Sequence, residues 1–113
     1  HPAYREKVIK ARDRDTVECG TVTGHPVRAI HNKFTRSYLQ SEKAGMSKED
    51  LEEMGRGRYP AAAVYGDLEG GTILAGQICG LVNKVQPAAD IVADIISDAG
   101  QIYRRLEGLK CQD

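Results

Sequence analysis

Residues 87–107 read PAADIVADIISDAGQIYRRLE and predict the longest helix of the chain. Their apolar side chains recur at steps of three and four, which places them on one stripe of an α-helix: Ala88, Ile91, Val92, Ile95, Ala99, Ile102 and Leu106. Pro87 suits the first turn, while Asp90 near the start and Arg104 and Arg105 near the end match the helix dipole. The helix would span roughly 30 Å, and the other apolar segments offer too little surface to cover it. The stripe therefore predicts a partner surface.

The segment just before this helix, residues 70–82 with the sequence GGTILAGQICGLV, contains small residues at 75, 76 and 80. Small residues let a backbone approach another group closely. A short helix beginning near Gly76 would present free backbone N–H groups, which suit a flavin ring edge, a phosphate or a carboxylate. The residues alone favour a plainer interpretation, in which Gly76 and Gly80 permit tight packing. Both interpretations stay open at this point.

The first two thirds of the chain predict a small mixed α and β unit. Asn32 is a good helix cap, and Ser47 followed by Asp50 resembles a capping box. Turn and cap residues, together with apolar spacing, predict these elements: a helix over 2–11, extended segments over 16–19, 21–23 and 27–30, helices over 33–44 and 47–54, a helical turn over 61–65 and a loop over 66–71.

The charges balance, with 16 Lys and Arg against 16 Asp and Glu interleaved along the chain. A net charge of zero gives no long-range field to attract a polyanion, so nucleic acid is not an expected partner. The apolar runs are far shorter than the roughly 20 residues of a membrane span, so no membrane segment is expected. A chain of 113 residues is expected to form at most one domain.

Three cysteines, Cys19, Cys79 and Cys111, stand at wide spacing without a CxxC pair, which indicates reduced thiols and a cytoplasmic protein. None has an evident base or electropositive neighbour, so all three are interpreted as packing or surface thiols. The chain starts at His1 without an initiator Met or a signal peptide, which suggests a start in the middle of a longer protein.

The polar residues outside these segments predict no catalytic or metal site. His25 and His31 lack metal-ligand spacing with any Cys, Asp or Glu and are interpreted as solvent-facing. Arg28 is expected to face solvent or to pair with an acidic neighbour such as Glu18 across a hairpin. The acidic group in residues 49–53 follows the pattern of a solvated helix face.

Two stretches carry a family resemblance: TGHPVR at 23–28 with NKFTR at 32–36, and AGQICGLV at 75–82. Together they resemble the C-terminal part of enoyl-acyl-carrier-protein reductase II and its relatives, the nitronate monooxygenases. Residues 38–42, residues 66–67 and the closing helix follow in the same order as in that family. The likeness covers nearly the whole chain, and its first stretch is the more specific to the reductase branch.

The resemblance implies an α/β fold class: part of an FMN-binding TIM-type barrel protein, comprising a small α+β lid domain and the C-terminal helices that return to the barrel. Residues 1–14 would be the last helical part leading from the barrel, 15–70 the lid domain, and 71–113 the returning segment. The N-terminal barrel portion would then be a separate chain, produced by nicking or by a natural split, and the assembled enzyme would be a possible homodimer.

The resemblance also implies a chemistry. NADH or NADPH would reduce FMN, and the reduced flavin would pass a hydride to the β-carbon of a trans-2-enoyl thioester of acyl-carrier protein or CoA in fatty-acid elongation. Ala75, Gly76 and Gln77 match the family residues that approach the flavin, with Leu74 beside them where relatives often have Met. Cys79 stands where a small residue is usual. The family's active-site histidine and most of its phosphate site lie upstream, so neither a catalytic residue nor a metal ligand is expected here.

Two other functions remain open. The same fold would serve nitronate oxidation by FMN and oxygen, without a nicotinamide cofactor. Alternatively, the chain would be a non-enzymatic helical docking module, in which the stripe of residues 87–107 binds an unrelated partner and no flavin is present.

Overall fold

The computed structural model describes residues 1–109. Over this range the elements follow in the order α1 (Pro2–Ile9), β1 (Thr16–Cys19), β2 (Val27–Ile30), α2 (Lys33–Lys43), α3 (Lys48–Gly55), α4 (Arg58–Ala63), a 3₁₀ helix (Gln77–Leu81) and α5 (Ala88–Glu107). The elements predicted from the sequence agree with these to within a few residues, except over residues 21–23 and at the helix predicted near Gly76. Cys111 lies outside the described residues.

The sheet is a β1–β2 hairpin that a third extended segment borders. The two strands are antiparallel, with Thr16 opposite Ile30 and Cys19 opposite Val27. Residues 73–75 run along the other side of β2: the Ile30 N–H donates to the Ile73 carbonyl at 2.8 Å, and the Ala75 N–H donates to the Arg28 carbonyl at 3.1 Å. The segment predicted to approach a cofactor is therefore fixed by the backbone of β2.

The extended segment predicted over residues 21–23 is wrong, because residues 21–24 form a turn. Gly20 and Gly24 have φ of +84° and +79°, the left-handed region that favours glycine. The Thr23 hydroxyl donates to the Gly20 carbonyl at 2.8 Å, and Thr23 is buried. Residues 21–23 therefore lie in a tight turn despite their β-propensity, because the left-handed backbone of the two glycines determines the local conformation.

The core consists of two small clusters on either side of the hairpin. One gathers Ala11, Ile30, Ala62, Ile73 and Cys79, with Tyr4, Val8, Leu68 and Ala75 packed against it. The other gathers Cys19, Phe34, Tyr38 and Leu51, with Leu39 and Met54 beside it. The inward positions predicted for α1 and α2 are confirmed by these clusters. The first cluster joins α1, β2, α4 and the 3₁₀ helix into one packed unit.

Asn32 makes the densest set of polar contacts in the described chain. Its Oδ1 accepts from the Thr35 N–H at 2.9 Å and caps α2, as predicted. Its Nδ2 donates to the carbonyls of Leu68 and Gly71 at 2.8 and 2.7 Å. The Asn32 N–H in turn donates to the Thr35 hydroxyl at 2.8 Å. One buried side chain therefore joins the start of α2 to the loop that leads into residues 73–75.

The cap of α3 is simpler and lies at the surface. Ser47 Oγ accepts from the Asp50 N–H at 3.1 Å, as predicted. The Asp50 carboxylate accepts from the Ser47 hydroxyl at 2.7 Å, so the return bond of the predicted capping box goes to the side chain instead of the backbone N–H. Unlike the Asn32 cap, the Ser47 side chain bonds only to the first turn of its own helix.

Helix α5 forms as predicted, but none of its 20 residues is buried. Ile91, Val92, Ile95 and Ile102 on the stripe are 46–61% exposed. At its start, the Asp94 carboxylate accepts from Lys84 Nζ at 3.0 Å and from Gln86 Nε2 at 2.8 Å, which ties the preceding segment to the helix. The described residues leave the apolar stripe uncovered, and the whole is elongated, with extents of 56, 38 and 18 Å.

We predict that Asn32→Ala lowers the free energy of unfolding by about 2–4 kcal/mol, because it removes a helix cap and leaves two carbonyls without their donor. Asn32→Asp keeps the cap acceptor but loses both donated bonds, so it is also destabilising near neutral pH. Its deficit shrinks as the pH falls, because a protonated carboxyl can donate again. Urea denaturation at pH 5 and pH 8 measures both effects.

The matched control is Ser47→Ala, which removes an exposed cap with no tertiary bond and costs about 0.5–1 kcal/mol. Equal losses for Asn32→Ala and Ser47→Ala would show that the bonds to Leu68 and Gly71 contribute nothing.

Candidate functional site

The candidate cofactor segment, Leu74 to Gln77, lies at the edge of the sheet and is held from two sides. On one side Leu74 forms an antiparallel bridge with Ala29 of β2. On the other side the Tyr4 hydroxyl of α1 donates to the Leu74 carbonyl at 2.9 Å. The Tyr4 ring also meets the Tyr59 ring edge to face, with 6.5 Å between centroids. Tyr4 thus links α1 and α4 to the backbone of the segment.

The two glycines of this region differ in their surroundings. A Cβ added at Gly80 would lie 2.6 Å from the Asp13 backbone nitrogen, so this glycine is required by close backbone packing. A Cβ added at Gly76 would meet only Ile78 Cγ2, at 4.0 Å, and the φ of Gly76 is −73°. Neither packing within the described chain nor backbone strain therefore explains a glycine at position 76. The packing interpretation holds for Gly80 and not for Gly76.

The helix predicted near Gly76 is a five-residue 3₁₀ helix, Gln77–Leu81. It is too short to carry a substantial dipole, so the idea of a helix N-terminus binding an anion loses its support. Cys79 anchors it, being 2% exposed with its Sγ 3.6 Å from the Arg12 carbonyl. Gln77 is exposed beside a shallow groove of about 590 Å³ that Arg12, Asp13 and Ile78 also line. The segment thus offers an open backbone edge and one free amide side chain.

A second cavity lies on the other side of Leu74. It has a volume of about 210 Å³ and is called the lid pocket here. Its apolar walls come from the hairpin, from α2 and from the ends of α3 and α4, and include Val27, Phe34, Tyr38, Tyr59 and Leu74, with Gly55 between them. Leu74 therefore borders both the lid pocket and the candidate cofactor segment.

Two titratable side chains in the wall of the lid pocket, Cys19 and Tyr38, have raised pKa values. Burial raises the pKa of the Cys19 thiol, and the nearby carboxylate of Glu42 raises it further. Burial likewise raises the pKa of Tyr38, with Glu42 adding to the effect. A thiol with a raised pKa is a poor nucleophile at neutral pH. Both groups therefore serve as packing walls, as the sequence predicted for Cys19.

The other predicted polar residues lie at the surface. His25 and His31 are exposed, and Arg28 pairs with Glu18 across the hairpin at 3.5 Å, as predicted. Within residues 1–109 no group of three or more His, Cys, Asp or Glu side chains is placed to bind a metal ion. None of the described helices combines the length and hydropathy that crossing a membrane requires.

Sequence reasoning missed two parts of this site: the anchoring role of Tyr4 and the lid pocket. The bond from Tyr4 to Leu74 spans 70 residues, and no local pattern encodes it. The pocket walls come from β1, β2, α2, α3 and α4, from the turn between the strands and from residues 72–74, and no spacing in the sequence joins these parts. The one sequence feature that pointed to the pocket is the presence of aromatic residues in α2 and α4, on either side of Gly55 at the end of α3.

Comparison with known proteins gives two results. The chain is similar to FabK from Thermotoga maritima, an enoyl-acyl-carrier-protein reductase II, with 36% identity and a TM-score of 0.87 over 97% of this chain and 35% of that one. A Met-to-Ala variant of the same enzyme matches with 34% identity and a TM-score of 0.75, over 97% of this chain and 32% of that one. No curated protein matches the chain. The chain thus spans about a third of the length of these FabK structures.

These matches confirm the expected fold class, since the chain folds as a corresponding part of a TIM-type barrel flavoenzyme. The model of the nitronate monooxygenase family matches residues 1–98. This family and FabK are FMN-dependent flavoenzymes. The resemblance carried by residues 23–28, 32–36 and 75–82 is thereby confirmed. With most of its 113 residues matched, the chain belongs to the nitronate monooxygenase family.

Proposed function

We propose that this chain is part of an FMN-dependent enoyl-acyl-carrier-protein reductase, which reduces trans-2-enoyl thioesters with NADH or NADPH in fatty-acid elongation. The observation that carries the proposal is the match to FabK, at a TM-score of 0.87 and 36% identity over 97% of the chain. The thioester would be carried by acyl-carrier protein or CoA.

The residues that would hold FMN are Leu74, Ala75, Gly76 and Gln77. The backbone of Leu74 and Ala75 is held by β2 and by Tyr4, and the open side of Gly76 supports close approach of a flat ring. When bound, the cofactor supplies the hydride chemistry, and the protein positions it. The part played by this chain is to offer a rigid edge that a side chain at position 76 would obstruct.

The partner we propose is the N-terminal barrel portion of the same enzyme, present as a separate polypeptide. The exposed stripe of α5 supports it, because apolar residues along a helix of 20 residues require a covering surface. The expected size of that partner follows from FabK, because about two thirds of the FabK chain lies outside the matched region. The assembled enzyme would act in the cytoplasm, where thiols such as buried Cys19 and Cys79 stay reduced.

A second candidate function is nitronate oxidation, which the description of the matching family favours. It would use the same FMN surface with oxygen as the acceptor and without a nicotinamide cofactor. The identity to FabK makes the reductase the preferred proposal.

The first prediction of the proposed function is a turnover test on the chain combined with its N-terminal barrel portion and FMN. We expect oxidation of NADH or NADPH, followed at 340 nm, that depends on crotonyl-CoA. Consumption of a nitroalkane with oxygen and without nicotinamide would identify the second function instead. A complex that carries no flavin absorbance would point to the docking module and contradict both enzymatic functions.

The second prediction separates the two glycines. Gly76→Ala should change the free energy of unfolding by no more than about 0.5 kcal/mol, because the added Cβ meets no close neighbour and a φ of −73° with a ψ of 174° is extended backbone that alanine adopts without strain. It should weaken FMN binding at least fivefold, measured by flavin fluorescence during titration. Gly80→Ala should show the converse. Overpacking should lower its free energy of unfolding by roughly 1–3 kcal/mol, whereas the folded variant should bind FMN with unchanged affinity. Unchanged FMN affinity in Gly76→Ala would remove position 76 from the cofactor site.

The third prediction concerns the stripe of α5. Ile95→Asp places a charge on the apolar face and should weaken association with the barrel portion by at least tenfold, because the charge would be buried without a partner. Ser97→Asp adds the same charge to the opposite face and serves as the matched control. Size-exclusion chromatography of the mixed polypeptides measures both. Equal association of the two variants would show that the stripe faces solvent.

A further inference from the structure

The lid pocket has the composition of a site for an uncharged apolar group. The buried rings of Phe34 and Tyr38, with centroids 5.8 Å apart, form its inner wall. Val27, Tyr59 and Leu74 line its outer part and are 37–50% exposed. No Asp, Glu, Lys or Arg side chain lines it, and its polar lining residues are Thr23, His25 and Thr72. An apolar ligand would cover the apolar surface that the other walls expose.

The size of the lid pocket limits its occupant. An apolar cavity of about 150 Å³ takes a benzene-sized molecule, and the lid pocket has about 210 Å³. It therefore accommodates a short alkyl chain but not a nucleotide or a pantetheine arm. Gly55, at the end of α3, leaves part of this space free, because a Cβ there would reach only Tyr38 Cε2, at 3.8 Å.

The position of the lid pocket connects it to the candidate cofactor segment. Leu74 lines the pocket, and the next two residues, Ala75 and Gly76, continue along the edge proposed to face FMN. A ligand with an apolar end in the pocket would extend past Leu74 toward Gly76. In a trans-2-enoyl thioester the alkyl tail is the apolar end, and the reacting carbons follow it directly.

We propose that the lid pocket binds the alkyl tail of the enoyl thioester, beyond the reacting carbons, and so sets the preference for chain length. This inference rests on the proposed reductase function. Each methylene that enters the pocket should improve kcat/KM by roughly fourfold, the factor that corresponds to burying one CH₂ group. The preference ends when the pocket is full.

The experiment uses the assembled enzyme, this chain with its barrel portion and FMN, and compares crotonyl-CoA with trans-2-hexenoyl-CoA and trans-2-octenoyl-CoA. The unsubstituted enzyme should show kcat/KM that rises with chain length. Gly55→Leu fills the pocket from α3 and should lower the octenoyl to crotonyl ratio of kcat/KM at least tenfold. Val27→Phe narrows the pocket from β2 and should lower the same ratio, which provides a second test if Gly55→Leu does not assemble.

Val22→Phe is the matched control for Val27→Phe, because Val22 is 52% exposed in the turn 21–24 and does not line the pocket. Its ratio should equal that of the unsubstituted enzyme. A flat chain-length profile in the unsubstituted enzyme, or an unchanged ratio in assembled Gly55→Leu or Val27→Phe, overturns the inference and leaves the reductase function intact. Absence of crotonyl-CoA turnover in the unsubstituted enzyme removes the reductase function, and the inference with it.

Discussion

The side-chain amide of Asn32 is the constraint on which the rest of the structure depends. It caps α2 through Thr35 and holds the carbonyls of Leu68 and Gly71, so it fixes the loop before residues 73–75. Those residues then pair with β2 and present Gly76 at the sheet edge. No other amino acid supplies one acceptor to a helix start and two donors to a loop in this geometry. The placement of the candidate cofactor segment therefore follows from a polar junction buried beside a small core.

The distribution of apolar residues explains why one part of the chain packs internally and another does not. The two core clusters use the short apolar side chains of α1, β2 and α4 and the aromatic residues of α2. Helix α5 contributes to neither cluster and buries none of its residues. A stripe of this regularity has no structural role in water, since exposing it costs free energy at every position. Under the proposed function, this stripe would pack against the N-terminal barrel portion of the enzyme.

The sequence predicted what local patterns encode and missed what depends on contacts distant along the chain. Asn32 and Ser47 as caps, the stripe of α5 and the hairpin pairing of Arg28 with Glu18 all follow from spacing or residue type. The turn at 21–24 was missed because the backbone of Gly20 and Gly24 outweighs the β-propensity of Thr and Val. Gly76 and Gly80 look alike in the sequence, and only the approach of Asp13 to Gly80 distinguishes them. The family resemblance suggested the candidate cofactor segment, whereas the lid pocket could be recognised only from the coordinates.

The side chains around the lid pocket are suited to binding and positioning. Burial raises the pKa of the Cys19 thiol and of the Tyr38 hydroxyl, so both favour the protonated form in the wall of the lid pocket. The apolar side chains of the same wall can bind an apolar group without leaving a buried charge unpaired. Leu74 joins that wall to an edge that Tyr4 and β2 hold rigid. A rigid edge beside a neutral pocket can determine where a substrate lies relative to a cofactor, and positioning of that kind contributes to rate without any reacting group.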